Sequence, residues 1–545
     1  MNVLLAHARF PLTYWGWQHA LRIVGKRAAL PPLGLLTLAA LLPERWNLRL
    51  VDLNVRSLGE EELAWADAVL IGGMLVQADS MREVCRRARA AGKRVVVGGP
   101  APSTAPDLFA EAHVVFRGEA EERIDTLVSA VEAPPSERIV LDAPAHQFPD
   151  VTKVPVPRYD LIDLSDYASV SLQYSRGCPY RCEFCDVIQI FGRKPRVKAP
   201  EQVLAELASL HDHGYRGSIF FVDDNFIGNR PAVRKLLPEI TAWQAQRGHP
   251  FDLYTEASVN LARDPDLLRA MVQAGFTTVF VGLETPSTEA LGAAGKSQNL
   301  KLDLATAVET IVAGGLEVQG GFIVGFDQDG PDIFEAQQRF IERTGVPLAM
   351  IGLLTALPGT ALFDRLSREG RLRTRSTGDQ FGRPNFEPRM DEATLLAGYR
   401  RLLARIYDPD AYYDRCEQTL ACLGPRPPGG DKGVEHLGAF ARAAFGIGVR
   451  SPRRRRFWRL VRRAAPRGRA ALVRAVTHAV MGEHVIRYTQ EHVLPHIDGA
   501  LDELGRERRL KECIGPRPDR SGSDRAAAAR APRRSAEPAP TAPAR

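Results

Sequence analysis

The first 145 residues alternate short apolar runs with stretches of helical periodicity. The apolar runs predict strands at 3–8, 48–54, 68–75, 94–99 and 113–122. Continuous apolar runs of this length, separated by helices, are typical of parallel strands that are buried on both faces. The pattern therefore predicts a doubly wound, Rossmann-like α/β domain over residues 1–145. Ligands of such domains bind at the carboxyl ends of the strands.

The same alternation restarts at residue 169 and continues for longer. A proline-rich segment, "KVPVPRYDLIDLSDY", precedes it and predicts a linker over 146–168. Six further strands are predicted at 169–175, 217–225, 251–258, 277–285, 317–326 and 348–356. Six βα repeats predict a partial (β/α)6 barrel over 169–365, with its active site at the carboxyl ends of the strands.

The remainder of the chain is predicted to be helical and then unstructured. Helical periodicity dominates residues 366–512, beginning with a long stretch at 391–420. The tail at 513–545 has almost no large apolar residues, and we therefore expect it to be disordered.

The net charge of +7 on 545 residues is concentrated in one segment. Residues 450–463, "RSPRRRRFWRLVRR", hold eight arginines and no acid, and the rest of the chain is close to neutral. A general nucleic-acid-binding field is therefore excluded. The apolar residues among the arginines are compatible with a peripheral membrane contact or an anionic partner; the alternative is an ordinary solvated helix face.

Two further features indicate a cytoplasmic protein, with any membrane contact at the inner face. The N-terminal residues lack the basic region of a signal peptide, and no small-residue cleavage site follows an apolar run. No apolar run reaches the length of about 20 residues that a spanning helix needs. The seven cysteines suit a reducing compartment and a metal site better than a disulfide framework.

Three of the cysteines lie within eight residues, directly after the first barrel strand. They are Cys178, Cys182 and Cys185 in "SRGCPYRCEFCD". A closed zinc site needs a fourth ligand, and the nearest histidines, His211 and His213, have no metal-binding spacing to the cysteines. Zinc is therefore the less favoured alternative, and the polar neighbours in the loop argue against three merely buried thiols.

The spacing C-x3-C-x2-C, with the aromatic residue Phe184 before the last cysteine, resembles the hallmark of the radical S-adenosylmethionine (SAM) superfamily. The resemblance implies a 4Fe-4S cluster bound through Cys178, Cys182 and Cys185. The fourth iron would bind SAM, whose cleavage yields a 5′-deoxyadenosyl radical.

The resemblance also implies SAM contacts at the ends of the barrel strands. The second strand offers three candidates, of which the sequence does not select one; Glu284 is implied at the ribose, with Glu256 as another inward-facing acid. A glycine-rich fifth strand is implied at the adenine. The full set is Phe184, Asp223, Asp224, Asn225, Glu256, Glu284, Gly320, Gly321 and Ile323.

The first domain resembles cobalamin-binding domains. The first strand is not followed by G-x-G-x-x-G, which argues against a dinucleotide. Instead, "GGML" at 72–75 and "VVVGGP" at 95–100 have about the spacing of the cobalamin class. The implied contacts are Gly72, Gly73, Met74, Gly98, Gly99, Pro100 and Glu119. The motif D-x-H-x-x-G is missing from residues 1–150, and His7 lies inside a strand, so we expect base-off cobalamin without a histidine on cobalt.

The domain order resembles the cobalamin-dependent radical SAM proteins with a helical C-terminal domain, a class that includes hopanoid C-2 methylases. This implies methylation of an unactivated carbon of a lipid or natural-product substrate. One SAM would methylate cobalamin and a second would supply the radical. The alternatives are a cobalamin-dependent rearrangement or oxidation without methyl transfer, and a non-catalytic cluster- and cobalamin-binding protein. The expected partners are a small-molecule or lipid substrate and an external electron donor of the flavodoxin or ferredoxin type; the acceptor carbon and the oligomeric state stay open.

Overall fold

Two six-stranded parallel sheets carry the fold. A computed structural model describes residues 1–133, 138–143, 147–376, 378–425 and 433–514. The predicted disordered tail lies outside the described residues from 515 onward. Within the described residues, none of the helices combines the length and the apolar composition needed to cross a bilayer.

The first sheet confirms the predicted doubly wound domain. Its strands are β1 (Asn2–His7), β2 (Asn47–Asp52), β3 (Ala68–Gly72), β4 (Arg94–Gly98), β5 (Val114–Phe116) and β6 (Ile139–Leu141). They are all parallel, in the order β2-β1-β3-β4-β5-β6. The edge strand β6 was not predicted, because three residues are too few to produce a periodic signal.

Helices cover both faces of this sheet. They are α1 (Gln18–Val24), α2 (Leu33–Leu41), α3 (Glu60–Trp65), α4 (Ala78–Ala90), α5 (Pro100–Thr104) and α6 (Ile124–Glu132). Helix α4 illustrates why they form. Its buried residues Met81, Val84, Cys85 and Ala88 recur at the three- and four-residue spacing of one helix face and pack into the core of the sheet.

The second sheet is the predicted partial barrel. The strands from β7 onward are β7 (Ser169–Leu172), the short β8 (Ser175–Arg176) and β9 (Arg196–Val197), then β10 (Ser218–Phe221), β11 (Asp252–Glu256), β12 (Phe276–Glu284), β13 (Glu317–Val324) and β14 (Ala349–Leu353). The barrel order is β14-β13-β12-β11-β10-β7, so β7 and β14 are its two edges. Strands β8 and β9 form a separate antiparallel pair.

The barrel helices are α7 (Val187–Ile190), α8 (Pro200–Asp212), α9 (Arg230–Gln246), α10 (Pro265–Gln273), α11 (Thr288–Ala293), α12 (Leu304–Ala313), α13 (Ile333–Thr344) and α14 (Ala361–Arg368). Alternation along β12 separates the two faces of the sheet. Val279, Val281 and Leu283 are fully buried on the helix-covered face, and the alternating Phe280 and Gly282 lie on the concave face.

The C-terminal part is helical, as predicted. Its helices are α15 (Glu392–Ile406), α16 (Pro409–Cys422), α17 (Gly433–Gly446), α18 (Arg454–Ala464), α19 (Arg469–Tyr488) and α20 (Leu494–Ile514), with a π-helical turn at Thr489–Val493. The long helical stretch predicted at 391–420 is two helices. Asp408 caps α16 by accepting hydrogen bonds from the backbone of Asp410 and Ala411, and Pro409 occupies the first helical position.

The arginine segment forms α18 and the turn before it, and most of its apolar side chains pack into the protein core. Phe457 and Leu460 are fully buried and Val461 nearly so, and Trp458 donates a hydrogen bond to a backbone carbonyl. The arginines pair with acids of the same region: Arg453 with Glu483, Arg456 with Asp410, Arg459 with Asp414 and Glu417, and Arg463 with Glu417. Three of the four apolar side chains of this segment therefore face the core. A peripheral membrane contact or an anionic partner at the remaining arginines stays a prediction.

Candidate functional site

The cysteine loop follows β8 and is held from three sides. The backbone N–H of Cys178 donates to the carbonyl of Gly192 at 3.2 Å, and that of Glu183 donates to Ala294 at 2.9 Å. The Glu183 carboxylate accepts two hydrogen bonds from Arg365, at 2.9 and 3.1 Å. The loop is therefore fixed to the barrel before any ligand binds.

Gly177 allows the chain to enter this loop. Its φ is +95°, and a Cβ there would lie 2.7 Å from the carbonyl oxygen of Gly192. A larger residue would be strained by its backbone conformation and would displace the facing backbone.

The positions of His211 and His213 argue against the zinc alternative. Both histidines lie at the end of α8, which leads into the start of β10, and the start of β10 is in register with the start of β7. The cysteine loop follows β8, beyond the carboxyl end of β7. The histidines and the three thiols therefore lie at opposite edges of the parallel sheet, and neither histidine can complete a zinc site with the cysteines.

Two of the three residues that follow β10 are used within the protein. The buried carboxylate of Asp223 accepts hydrogen bonds from the backbone of Tyr174, at 3.1 Å, and of Ser175. It therefore fixes the strand that leads into the cysteine loop. The side-chain oxygen of Asn225 accepts from the backbone of Ser258 at 3.2 Å, which ties the end of β10 to the end of β11.

The remaining acids form a cluster in which the carboxyl groups outnumber the cations. Oδ2 of Asp224 is buried and has no hydrogen-bond partner among the described residues. Burial and the neighbouring Asp223 raise the pKa of Asp224 to about 7, and burial with repulsion from Asp224 and Asp223 raises the pKa of Glu256 to about 8. The nearest cation is Lys296, whose Nζ lies 2.5 Å from Glu284. Two carboxyls without a partner cation make the cluster suited to a cationic ligand.

Lys296 is a site residue that the sequence did not reveal. Its Nζ lies 5.9 Å from the Phe184 ring centroid, and Gln298 of the same loop donates to Sγ of Cys182 at 3.7 Å. Asn299 holds the loop by donating to two carbonyls near the end of β12, each at 3.1 Å. The segment "GKSQNL" has no periodicity or spacing that would have indicated a buried lysine.

The glycine-rich strand β13 lies open on the concave face. A Cβ on Gly321 would lie 2.9 Å from the Phe280 ring, so the glycine leaves room for that ring. Ile323, two residues after Gly321, lies on the same face and is partly exposed, whereas Gly320 points to the helix-covered face. The structure thus brings two of the three predicted adenine contacts to the concave side.

In the first domain, the two glycine-rich strand ends lie side by side. Gly72-Gly73-Met74 and Gly98-Gly99-Pro100 end β3 and β4, and Gly72 and Gly98 are register partners. Gly99 has φ +97°, and a Cβ there would lie 3.3 Å from the Gly73 carbonyl. Met74 beside them is 53% exposed. We call the two adjacent glycine turns at the ends of β3 and β4 the glycine edge. A side chain at position 99 would fill the space between these turns.

Glu119 belongs to a buried group of ion pairs. Its carboxylate pairs with Arg196, at 2.7 Å, and with Arg176, and Arg176 also pairs with Glu121 at 2.7 Å. All of these side chains are largely buried. Glu119 therefore joins the first domain to the β8–β9 pair beside the cysteine loop, and its contact with cobalamin stays a prediction.

Comparisons with known proteins agree with this arrangement. Residues 26–128 match the model of the B12 binding domain, residues 172–337 the Radical SAM superfamily, and residues 360–496 a domain of unknown function (DUF4070). An uncharacterized methyltransferase of Synechocystis is 40% identical over 94% of this chain and 96% of its own length. The hopanoid C-2 methylase of Rhodopseudomonas palustris is 36% identical over 94% of this chain and 98% of its own length.

Two solved structures share the fold. The cobalamin-dependent SAM radical enzyme OxsB, with aqua-cobalamin and SAM bound, aligns with a TM-score of 0.56 at 15% identity, covering 92% of this chain and 81% of its own. The methyltransferase TsrM of Kitasatospora setae, with cobalamin and a [4Fe-4S] cluster bound, aligns with a TM-score of 0.54 at 16% identity, covering 90% and 99%. Taken with the sequence relatives, these matches confirm the predicted class: the chain belongs to the cobalamin-dependent radical SAM methyltransferases.

Proposed function

We propose that this enzyme methylates an unactivated carbon of a lipid substrate. The hopanoid C-2 methylase relative, which matches nearly the full length of both chains, supports a lipid acceptor. The observation that carries the proposal is the juxtaposition at Glu119, where buried ion pairs join the segment after β5 of the first domain to the β8–β9 pair that leads into the cysteine loop. A substrate between the two domains would face both cofactor positions.

The residues present fit the cofactors of the family. Cys178, Cys182 and Cys185 would hold the 4Fe-4S cluster, because they form the C-x3-C-x2-C loop at the carboxyl end of the first barrel strand. Asp224 would accept the ammonium group of SAM, because Asp223 and Asn225 are occupied by protein hydrogen bonds. When bound, the cluster with SAM supplies a 5′-deoxyadenosyl radical, and cobalamin supplies the methyl group.

The chain's own residues hold the cofactor-binding loop in position and enclose the site. Asp223 and the Glu183–Arg365 pair hold the cysteine loop from opposite sides. Lys296 lies close to two of the cysteines and compensates the charge of Glu284. Burial lowers the pKa of Lys296, but Glu284 and the two cysteines together raise it above its usual value. A pre-formed, enclosed site keeps water away from a reactive intermediate and lowers the entropic cost of aligning the reactants.

Cobalamin would lie on the backbone edge made by the two glycine turns, base-off and without a histidine ligand. His7 is placed at the end of β1 with its ring 5.8 Å from that of Phe10, and burial lowers its pKa. The cob(II)alamin form should give an electron paramagnetic resonance spectrum without nitrogen splitting from a lower ligand. Nitrogen splitting that disappears in H7A would contradict this prediction.

The test of function is a product assay on protein reconstituted anaerobically with iron, sulfide and hydroxocobalamin. Electrons would come from a flavodoxin or ferredoxin system, the type of donor that we predict. A methyltransferase should convert SAM to both S-adenosylhomocysteine and 5′-deoxyadenosine in the presence of its acceptor. A rearrangement or oxidation would give 5′-deoxyadenosine alone, and a non-catalytic binding protein would give neither.

A matched pair of variants tests the cluster. C182A removes a thiol of the loop, and C422A removes an exposed thiol on α16. C182A should abolish 5′-deoxyadenosine formation, and C422A should retain it. Formation of 5′-deoxyadenosine by C182A at the wild-type rate would refute the cluster assignment.

A further inference from the structure

A histidine of the first domain lies beside a glutamate and a histidine of the helical region. His19 lies on α1, and Glu491 and His492 lie in the π-helical turn after α19. The three side chains each have a ligand atom within 4.8 Å of the other two, and within the described part of the chain this is the one group of three histidine, cysteine or acidic residues that meets this limit. The fold therefore brings three metal-ligating groups together from two distant segments.

The ring nitrogen of His19 next to this group has no hydrogen-bond partner among the described residues. Nε2 of His19 is buried, and it lies 4.0 Å from Oε2 of Glu491. The His19 side chain is 12% exposed. A buried polar atom that makes no hydrogen bond costs free energy, and coordination to an ion would remove that cost. The buried nitrogen is thus a second, independent indication of a ligand at this position.

The neighbouring His484 fixes the backbone of His19 and is itself excluded as a ligand. Nε2 of His484 donates to the carbonyl of Thr13 at 2.9 Å, and its Nδ1 accepts the backbone N–H of His19 at 3.4 Å. Both ring nitrogens are therefore used, and the ring is in its neutral form. In the same segment between β1 and α1, the hydroxyl of Tyr14 lies 2.6 Å from that of Thr489. His19 is thus held against the helical region before an ion binds.

Arg487 orients the glutamate of the group. Its guanidinium donates to both carboxylate oxygens of Glu491, from Nε at 2.8 Å and from Nη2 at 3.2 Å. Carboxylates that bind metals are commonly held by such an outer hydrogen bond. The positive charges of Arg487 and Arg22 also act on His19, and they weaken the binding of a cation. We therefore expect a Kd of micromolar order rather than the tighter binding of a fully enclosed site.

Two imidazoles and one carboxylate select the kind of ion. Mg²⁺ and Ca²⁺ prefer sites made of oxygen atoms alone, whereas imidazole suits Zn²⁺ and the neighbouring first-row ions. Zinc takes four ligands at about 2.0–2.2 Å in a tetrahedral arrangement, so three protein ligands leave one position for water. Glu491 and His492 are exposed, and small rotations of their side chains would bring the ligand atoms to that geometry.

We infer that His19, Glu491 and His492 bind a divalent transition-metal ion of the zinc type. The ion joins α1 of the first domain to the turn that follows α19 in the helical region. It therefore adds a link at the place where His484 and Thr489 already hold the segment between β1 and α1. The inference is independent of the proposed function, because none of the three ligands belongs to the cysteine loop, the acid cluster or the glycine edge.

The experiment is equilibrium dialysis of the reconstituted holoenzyme against radioactive Zn²⁺. A chelating resin first removes loosely bound iron, and the filled cluster keeps the three cysteines of the loop from binding the probe. Wild type should bind zinc saturably, and an excess of Mg²⁺ should not displace it. Outer partners of metal ligands typically contribute 10–100-fold to affinity, so loss of a ligand in His492→Ala should raise the Kd by about 100-fold. His19→Ala should do the same; where its packed position prevents folding, the exposed His492 decides.

His496 offers a matched control. It follows His492 by one helical turn, and its Nε2 lies 2.8 Å from Oδ2 of Asp379. It thus has a carboxylate partner, but it belongs to none of the three-ligand groups found among the described residues. His496→Ala should bind zinc as wild type does. X-ray absorption at the zinc edge should show nitrogen and oxygen neighbours at about 2.0–2.2 Å, because sulfur ligands would lie at about 2.3 Å.

Several results would overturn the inference. They are the absence of saturable zinc binding, wild-type affinity in His492→Ala, an equal loss of affinity in His496→Ala, and displacement of zinc by Mg²⁺. Sulfur neighbours around the zinc would assign the ion to cysteines and would also overturn it. The proposed function fails separately, when the wild-type enzyme forms neither S-adenosylhomocysteine nor 5′-deoxyadenosine with any acceptor. Because zinc binding is measured without turnover, the two failures are distinguishable.

Discussion

The excess of acid in the barrel makes a quantitative prediction for Glu256→Gln in the cofactor-free protein. Burial and the repulsion from Asp224 and Asp223 raise the pKa of Glu256 from 4.5 to about 8. One pKa unit corresponds to about 1.4 kcal/mol, so ionised Glu256 destabilises the fold by at most about 5 kcal/mol. Asp224 shares the repulsion and titrates over a similar pH range. We therefore expect Glu256→Gln to increase the free energy of unfolding by about 2–5 kcal/mol when Glu256 is ionised in wild type.

The sign follows from proton binding. The folded state holds the Glu256 proton more tightly than the unfolded state does, so the penalty is absent below pH 4.5, grows as the pH rises, and is complete above pH 8. Glu256→Gln should therefore unfold at a higher temperature than wild type at pH 9, by roughly 2–4 °C, and at nearly the same temperature at pH 5.

The assay is thermal unfolding at one fixed scan rate across this pH range. Glu309→Gln, which removes an exposed acid on α12, is the control and should match wild type throughout. A difference between Glu256→Gln and wild type that is the same at pH 5 and pH 9 would refute the reasoning. So would an equal effect of Glu309→Gln.

The other predictions concern positions around the site. Arg176→Met removes one partner of the buried Glu119 carboxylate and should lower the free energy of unfolding by about 3–5 kcal/mol. The variant should unfold at a lower temperature and be cleaved faster by proteases between the two domains; unchanged proteolysis would contradict this prediction. Burial lowers the pKa of His478, but Glu317 at 2.9 Å and Cys416 together outweigh it and raise the pKa to about 10. The stabilisation by the charged ring is therefore complete below pH 6.5 and disappears as the pH rises through 10. His478→Gln should therefore unfold at a lower temperature than wild type at pH 7 and at the same temperature at pH 10.5; an equal deficit at both values would contradict this. Gly99→Ala should reduce the cobalamin content after reconstitution, measured by absorbance, because φ +97° and a contact at 3.3 Å disfavour a side chain; full cobalamin loading would contradict it.

The sequence predicted the framework of the molecule well because its signals are local. All six barrel strands lie where apolar runs occur, and the cysteine loop follows the first of them. Lys296 could not be predicted in this way, because its burial depends on Glu284, twelve residues away on another element, and on the shape of the barrel between them. Among the three residues after β10, only the hydrogen bonds of the folded chain separate Asp224 from Asp223 and Asn225.

The arginine segment shows a case in which the local pattern left more than one interpretation open. Eight arginines with interleaved apolar residues suggest an external surface when they are considered alone. Asp410, Asp414 and Glu417 recur on one face of α16 at four- and three-residue spacing, which matches the spacing of Arg456, Arg459 and Arg463 on α18. That acidic stripe was present in the sequence, and pairing the two stripes would have predicted one helix packed against another.

The anchoring of Tyr14 sets an order for biogenesis. Its hydroxyl partner Thr489 is 475 residues further along the chain. At about 5–20 residues per second, a ribosome needs roughly half a minute to a minute and a half to synthesise the intervening segment. Tyr14 is among the first residues to leave the ribosome and among the last to reach its final position, because α19 and the π-helical turn must be made first. A nascent chain that ends before residue 484 already contains every cysteine of the loop but lacks the contacts of His484 and Thr489, so the segment between β1 and α1 is fixed only after translation has passed the helical region.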